Sequence, residues 1–402
     1  MRRKGSGSGV FIALFLLSWA VLLAGMLLTG PREVSTLENR ALTTFPPLTA
    51  GGFATGDFQD ALEEALGDHL PGSEAVRAGV REAQAGVLRG MQEALYALRP
   101  ELRSGYTALT EGYYRYRGDA HRIVEKPEAR TPGAEAALER AAEALHRAEG
   151  ARLCLYFIQN SRSVDFDRPE ERLETWAWLR ERLAPDAAGA FDVDSYEAFS
   201  EVFYQTDHHW NAKGSYRGYR ELMALLRPED APLEPAETVT FPFVFNGAYA
   251  RQTNQLCADE PFEVYAFELP RMAVTLNGKR GVYGRLDAYR KGRYTVEPLT
   301  NHYANCYGGE YGEIVYENGE AGRGSLLLIA SSYSNPINAL VASHYDRTYV
   351  IDPRYYADWA GQPFDPAAYA AEREIGTVAL LGDIRFFLEE LPAGLGVKGG
   401  ED

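Results

Sequence analysis

Apolar residues follow two different patterns along the chain, and the patterns alternate after residue 130. Recurrence every three or four positions predicts amphipathic helices, at residues 131–149, 168–183, 211–226, 335–345 and 367–375. Short unbroken apolar runs predict buried strands, at residues 153–158, 191–193, 326–330, 348–351 and 378–381. Helices that alternate with buried strands are typical of an α/β fold built on a parallel sheet.

The segments outside this alternation have patterns of their own. Two helices are predicted at 57–66 and 73–98, and the second carries an apolar stripe that we expect to be buried, namely Val76, Val80, Ala83, Val87, Met91 and Leu95. Tyrosines among glycines at 104–125 predict short strands. Residues 238–318 are rich in aromatic, β-branched and turn residues, which predicts a β-rich insertion.

The N-terminus carries an uncharged apolar run at residues 10–29, preceded by Arg2, Arg3 and Lys4. About 20 apolar helical residues span a bilayer core, and a basic flank stays on the cytoplasmic side. The pattern therefore predicts a single-pass anchor in the cell membrane with an extracytoplasmic body; a cleaved signal peptide is the alternative. The predicted organisation is a cytoplasmic tip and transmembrane anchor at 1–30, a tether at 31–56 and one domain at 57–402 that contains the insertion.

The composition is that of a folded, acidic protein. Of the 402 residues, 46% are hydrophobic and 24% are charged, which is enough apolar material for a sizeable core. The net charge of −16 repels phosphate backbones, so nucleic acid is not an expected partner. The cysteines lack zinc-site spacing. Cys154 is expected in the core, and Cys257 and Cys306 either form a disulfide or stay free.

The string Thr206-Asp207-His208-His209-Trp210 lies in a loop before a predicted helix. Because residues i and i+2 of an extended backbone point to the same side, Asp207 can orient the imidazole of His209 as a general base, while His208 points away. Two alternatives stand beside this hypothesis. The cluster of Asp207, His208 and His209 is a metal site, or it has a purely structural role.

A second string, Ser331-Ser332-Tyr333-Ser334, follows the buried strand at 326–330 and precedes a helix. Active sites of open α/β sheets lie at the carboxyl ends of strands, so Ser332 is a candidate nucleophile. The alternative is that these serines only cap the helix. Asn160 and Arg162 follow the strand at 153–158, where they either contact substrate or end the strand.

Together the two strings resemble the DHHW protein family, which is related to alginate O-acetylation proteins with an SGNH-hydrolase-like domain. Further segments with the family pattern are ENR and FP at 38–46, DHLPG at 68–72, YGG at 307–309 and DPRYY at 352–356. The resemblance implies an SGNH-like three-layer α/β/α sandwich. It also implies a triad in which Ser332 is the nucleophile, His209 the base and Asp207 the acid that holds it, with Gly309 near the substrate.

The function implied by the resemblance is O-acetyl transfer, or acetyl-ester hydrolysis, on a cell-surface or secreted polysaccharide. A multi-span membrane O-acyltransferase is the implied partner, and neither a metal nor a cofactor is expected. The chain departs from the family pattern at Ser331, which replaces an aspartate, and at Glu310, where asparagine is frequent. Because a carboxylate near a developing oxyanion opposes catalysis, the alternative function is a catalytically inactive glycan-binding or assembly protein.

Overall fold

The structure of the protein is a computed structural model, which describes residues 6–29, 34–35, 40–257, 259–309, 311–319 and 322–397. Within these ranges the α-helices are, in chain order, α1 (Ser6–Thr29), α2 (Ala50–Thr55), α3 (Asp57–His69), α4 (Ser73–Leu98), α5 (Pro132–His146), α6 (Arg172–Leu183), α7 (Tyr196–Val202), α8 (Ala212–Leu226), α9 (Ala248–Thr253), α10 (Leu286–Arg290), α11 (His302–Tyr307), α12 (Asn338–Ala342), α13 (Pro353–Ala360), α14 (Pro366–Glu372) and α15 (Leu391–Gly394). Short 3₁₀ turns lie at Pro100–Leu102, Pro169–Glu171 and Ser332–Ser334, and a π-helical turn lies at Phe386–Glu390.

The strands of the same ranges are β1 (Val34–Ser35), β2 (Arg40–Ala41), β3 (Tyr106–Thr110), β4 (Tyr113–Tyr116), β5 (Arg152–Ile158), β6 (Ala187–Phe191), β7 (Glu237–Val244), β8 (Pro261–Ala266), β9 (Ala273–Leu276), β10 (Lys279–Arg280), β11 (Glu313–Glu317), β12 (Ser325–Ala330), β13 (Arg347–Ile351) and β14 (Thr377–Gly382). Eight of them form one sheet in the order β10-β9-β11-β13-β12-β14-β5-β6. The five strands from β13 to β6 run parallel, and β9, β10 and β11 extend that sheet antiparallel. The predicted α/β fold is confirmed, with a mixed sheet.

Helices cover both faces of this sheet because its central strands are apolar on both sides. Along β5, Tyr156 and Ile158 face a core shared with α7, α8 and α12. The alternate residues Leu155 and Phe157 face a second core shared with α5, α6, α14 and α15. Strand β12 lies between β13 and β14, so the residues that follow it emerge near the middle of the sheet's carboxyl edge.

The segment 238–318 is only partly a separate insertion. Strands β7 and β8 pair with each other as a separate two-stranded antiparallel sheet, with α9 in the connection between them. The later strands β9 and β11 instead join the central sheet, where β11 pairs with β13. The composition of the segment predicted β structure, but it carried no information on which edge of the sheet its strands would extend.

The membrane prediction for the N-terminus is wrong. Crossing a bilayer requires a helix with about 20 predominantly apolar residues, and no helix among the described residues meets the length and hydropathy needed. The predicted anchor at 10–29 and the localisation built on it, at the cell membrane with an extracytoplasmic body, are corrected accordingly. The basic residues Arg2, Arg3 and Lys4 lie outside the described residues, as do parts of the predicted tether.

Helix α4 forms as predicted, but its apolar stripe is exposed. Val87 is 62% exposed and Met91 is 65% exposed. The helix contacts the β3–β4 hairpin through polar groups instead: the side chain of Gln92 donates to the carbonyl of Tyr106 at 2.5 Å and accepts from the amide of Ala108 at 3.0 Å. Periodicity defines an apolar face and does not show that another element covers it.

The cysteines do not pair, since Cys154, Cys257 and Cys306 are all free and buried. The FP and DHLPG segments contact each other: Phe45 stacks on His69 with ring centroids 4.9 Å apart, and the Thr43 amide donates to Asp68 at 2.9 Å. Glu38 and Asn39 of the ENR segment lie outside the described residues.

Candidate active site

The TDHHW string forms a loop that closes on itself at the N-terminus of α8. Phe203 and Trp210 form an antiparallel β-bridge across residues 204–209. Trp210 is fully buried, and its ring lies so close to Gly218 of α8 that an added Cβ there would be 2.3 Å away. The tryptophan therefore anchors the loop to the core, and the residues between the bridge partners are held in a fixed position.

Asp207 is fixed from several directions. One carboxylate oxygen accepts the backbone N–H of His209 at 3.0 Å, and the other accepts the N–H of Ala248 at 2.6 Å. Burial alone would raise the pKa of Asp207, but the neighbouring imidazoles of His209 and His208 hold it well below its usual range. Asp207 is therefore ionised in the folded protein.

Gly247 makes this position of Asp207 possible. A Cβ on Gly247 would lie 2.2 Å from the Cβ of Asp207, closer than two carbon atoms can approach. The glycine is needed for space rather than for backbone freedom, because its φ of −87° is open to any residue. Its N–H donates to the hydroxyl of Thr206 at 3.0 Å, which docks the two segments together.

Ser332 begins the 3₁₀ turn Ser332–Ser334, and Ser331 alone separates it from the end of β12. With Asp207 ionised, Nδ1–H of His209 donates to Asp207 Oδ1 at 2.6 Å. Nε2 is then the acceptor for the Ser332 hydroxyl, whose oxygen lies 2.8 Å away. The contacts expected between these three residues are confirmed, and they have the geometry of a nucleophile, a base and an orienting acid. Their catalytic role stays a prediction.

The imidazole of His209 is held between two rings. Tyr303 stacks on one side with centroids 3.9 Å apart and planes at 17°, and its hydroxyl donates to the carbonyl of Ser332 at 3.0 Å. His208 packs against His209 with centroids 3.9 Å apart, and its Nδ1 lies 3.5 Å from Asp207. The prediction that His208 points away is wrong, because the closed loop curls the backbone out of the extended form. Burial lowers the pKa of His208 well below its usual value, and the nearby His209 adds to this effect.

Asn160 and Arg162, predicted to contact substrate, lie in a buried network behind the site. The side-chain amide of Asn160 donates to the hydroxyl of Tyr333 at 2.6 Å and to the carboxylate of Asp383 at 2.8 Å. Arg162 pairs with Glu125 at 2.6 Å and with Asp383 at 2.9 Å. Neither residue lines the pocket at Ser332. The structure thus places them as supports beneath the loop rather than at a substrate edge.

A pocket of about 190 Å³ opens at Ser332 and His209. Gly309 lies in its wall, and its contact with substrate stays a prediction from the family resemblance. The preceding Gly308 has a φ of 101°, and a Cβ there would lie 2.4 Å from the ring of Tyr283, so only glycine fits. Glu310, whose carboxylate raised doubt about activity, lies outside the described residues.

The side chains of Asp207, His208 and His209 are close enough to consider a metal site, since one ligand atom from each lies within 4.8 Å of the others. Both ring nitrogens of His209 already have protein partners, Asp207 and Ser332. A metal ion bound to His209 would have to displace one of them. The donor set therefore fits the hydrogen-bonded chain better than a metal centre.

Several residues of the site were not found from the sequence. Tyr303, Gly247 and Arg251, which also lines the pocket, lie outside both strings that carried the prediction. The Asn-Gly pair at 246–247 is a turn signal, but nothing in it indicates contact with Asp207. Only the folded chain places Tyr303 against His209.

The fold and site define an α/β protein with a Ser-His-Asp arrangement at the carboxyl edge of its sheet. The fold is similar to that of a DHHW family protein from Eubacterium siraeum, at 15% sequence identity and a TM-score of 0.51, over 71% of this chain and 95% of that one. It is also similar to Bacillus cereus PatB1 with a sulfonyl adduct, at 16% identity and a TM-score of 0.51, over 70% of this chain and 96% of PatB1. A second structure of Bacillus cereus PatB1 matches at 15% identity and a TM-score of 0.50, over 68% of this chain and 97% of PatB1.

No protein-family model and no curated protein sequence matches this chain. At identities this low, the structural similarity shows a shared fold and not a shared activity. The predicted relationship to the DHHW family is confirmed at that level.

Proposed function

We propose that the protein is a serine-dependent O-acetyl-ester enzyme with an SGNH-like α/β/α fold, which transfers acetyl groups to or from hydroxyls of a polysaccharide. The observation that carries this proposal is the hydrogen-bonded chain from Asp207 through His209 to Ser332, at the mouth of a pocket. The choice of acetyl chemistry comes from the family resemblance, and two fold relatives are consistent with it. One is a DHHW family protein, and a second has been solved with a sulfonyl adduct.

In the first half-reaction, Ser332 Oγ attacks the carbonyl carbon of an acetyl ester while His209 Nε2 takes the hydroxyl proton. The tetrahedral intermediate then collapses, and the bond between the carbonyl carbon and the donor oxygen breaks. His209 returns its proton to that oxygen, so the donor leaves as an alcohol and Ser332 carries the acetyl group. Asp207 stays ionised and stabilises the imidazolium that forms transiently.

In the second half-reaction, an acceptor hydroxyl gives its proton to His209 and attacks the acetyl group on Ser332. The serine leaves with the proton from His209, which restores the starting state. A sugar hydroxyl as acceptor makes the protein a transferase, and water makes it an esterase. The donor and the predicted partner, a multi-span O-acyltransferase, stay predictions from the family resemblance.

Backbone amides are the proposed donors to the oxyanion. Among the described residues, neither the N–H of Ser332 nor that of Gly309 has a hydrogen-bond partner, and both residues line the pocket. Two such donors aimed at the developing negative charge are the usual means of stabilising this transition state. Removing one donor costs about 10²–10³ in kcat in enzymes where this has been measured.

Turnover of 4-nitrophenyl acetate by the full chain tests the proposal, with an oligosaccharide added to detect acetyl transfer. Ser332→Ala should lower kcat/KM by at least about 10³-fold, because it removes the nucleophile. Ser331→Ala is the matched control, since the Ser331 hydroxyl has no hydrogen-bond partner among the described residues. Undiminished turnover in Ser332→Ala would overturn the nucleophile assignment. A folded wild type without turnover would favour the non-catalytic glycan-binding alternative.

A further inference from the structure

Arg251 is a buried cation in the wall of the pocket that contains Ser332. Only 3% of its surface is exposed. One terminal nitrogen donates to the carbonyl of Asn246 at 3.3 Å, and its Nε is buried without a hydrogen-bond partner. No carboxylate of the described residues lies within ion-pair distance of its guanidinium. A buried guanidinium with unused donors is costly unless a ligand satisfies them.

The other arginine of the pocket wall differs in this respect. Arg354 makes two hydrogen bonds to the carboxylate of Asp352, at 2.9 Å and 2.6 Å, and lies 3.5 Å from Glu390. Its charge and its fork of donors are therefore satisfied by the protein. Of the two arginines in the described pocket wall, Arg251 is the one whose guanidinium has an unused donor.

The nearest anion to consider is Asp207, whose charge lies beyond ion-pair distance from Arg251. The carboxylate oxygens of Asp207 are already used by His209 and by the N–H of Ala248. Burial lowers the pKa of Arg251, and the charge of Asp207 opposes this only in part. Asp207 therefore stabilises the charged form of Arg251 from a distance, but it accepts no hydrogen bond from the guanidinium.

We propose that Arg251 binds a carboxylate on the molecule that exchanges an acetyl group with Ser332, so that the substrate is a carboxylate-bearing acceptor such as an acidic sugar. The proposal rests on the proposed function for the reaction, although the binding itself does not require turnover. A guanidinium matches the planar carboxylate with two parallel hydrogen bonds. A phosphate dianion fits less well, because the ionised Asp207 in the same small pocket repels a second negative charge.

Binding is measured first, on the full chain carrying Ser332→Ala, which cannot turn over. Calorimetric titration compares sodium glucuronate with glucose, a pair that differs in the carboxylate. Charge-assisted hydrogen bonds predict that glucuronate binds at least about tenfold more tightly than glucose. Adding Arg251→Gln should reduce this preference to within about twofold, and Arg251→Lys should keep part of it. Arg290→Gln removes the same charge at the surface, where Arg290 pairs with Glu237, and should change nothing.

Several results would overturn the proposal. One is equal binding of glucuronate and glucose by the protein with Arg251 intact. This comparison does not need the Arg251→Gln variant, so it remains decisive if that variant fails to fold. Another is an undiminished preference in a folded Arg251→Gln protein. Stronger competition by sodium phosphate than by sodium acetate would replace the carboxylate with a phosphate as the ligand.

Turnover separates this proposal from the proposed function. The ratio of kcat/KM for 4-acetoxybenzoate to that for its methyl ester should exceed one in the wild type and fall in Arg251→Gln. Carboxylate binding without any ester turnover would leave the Arg251 site standing and refute the acetyl-transfer function. Turnover with no preference for the carboxylated ester, and no glucuronate binding, would refute the Arg251 site alone.

Discussion

Gly247→Ala tests whether the site depends on the close packing between α9 and Asp207. The added Cβ would lie 2.2 Å from the Cβ of Asp207 and 2.3 Å from its Oδ2. Ordinary carbon contacts begin near 3.4 Å, so one of the two segments must move by about 1.2 Å. Asp207 would then lose its place relative to His209, or the N–H of Ala248 would lose its hydrogen bond to Asp207.

The expected cost follows from this displacement. A misplacement of about 1 Å in a catalytic arrangement lowers the rate by about 10²-fold, which corresponds to about 2.7 kcal/mol. Forcing side chains apart in a packed region costs about 1–3 kcal/mol of unfolding free energy. We therefore expect kcat/KM for 4-nitrophenyl acetate to fall about 10²-fold and the protein to be destabilised by a similar free energy.

Steady-state kinetics and urea unfolding measure the two effects on the full chain. Gly86→Ala is the matched control, because Gly86 lies within α4 with nothing within 4 Å of its added Cβ. That variant should keep wild-type kinetics and gain up to about 1 kcal/mol, since alanine favours a helix over glycine. Turnover by Gly247→Ala within threefold of the wild type would refute the reasoning.

Three further predictions concern groups around the site. Tyr303→Phe removes the hydrogen bond to the Ser332 carbonyl but keeps an aromatic ring stacked on His209. Because one hydrogen bond is lost, kcat/KM should fall about fivefold. An unchanged kcat/KM would contradict a positioning role for the Tyr303 hydroxyl. Burial raises the pKa of Glu260 from 4.5 to about 8, so the folded protein holds a proton that the unfolded chain releases, and stability falls as pH rises through this range. Between pH 5 and 8, the melting temperature of Glu260→Gln should fall less steeply with pH than that of the wild type. An equal pH dependence of the melting temperature in the two proteins would contradict the raised pKa. Arg162→Met leaves Glu125 and Asp383 buried without their shared cation, so urea unfolding should show a loss of about 3–5 kcal/mol; a loss below 1 kcal/mol would contradict the structural role.

The sequence predicted elements well where one local pattern decides the outcome. The apolar run at 153–158 corresponds to β5, and the helix predicted from residue 131 corresponds to α5, which Thr131 caps through its side chain. The spacing of Asp207 and His209 predicted their contact because both ends of that pair lie on one short loop. These features depend on residues close together in the chain, so their physical cause is visible in the sequence.

What the sequence did not show depends on distant segments. His208 packs on His209 because the bridge between Phe203 and Trp210 curls the loop, which an extended-strand argument does not include. Tyr303 reaches His209 because α11 packs against β7, β8 and α10, and no spacing rule connects these segments with the TDHHW loop. The exposed stripe of α4 shows the same limit, since periodicity cannot name the surface that would cover a helix.

Covalent labelling tests the central claim, that Ser332 is a nucleophile activated by His209, most directly. The full chain is treated with phenylmethylsulfonyl fluoride, and the modified residue is identified by mass spectrometry of its peptides. The account predicts a sulfonyl group on Ser332, no label in Ser332→Ala, and slow labelling in a folded His209→Gln protein. A label on another residue, or equal labelling of the wild type and His209→Gln, would contradict it.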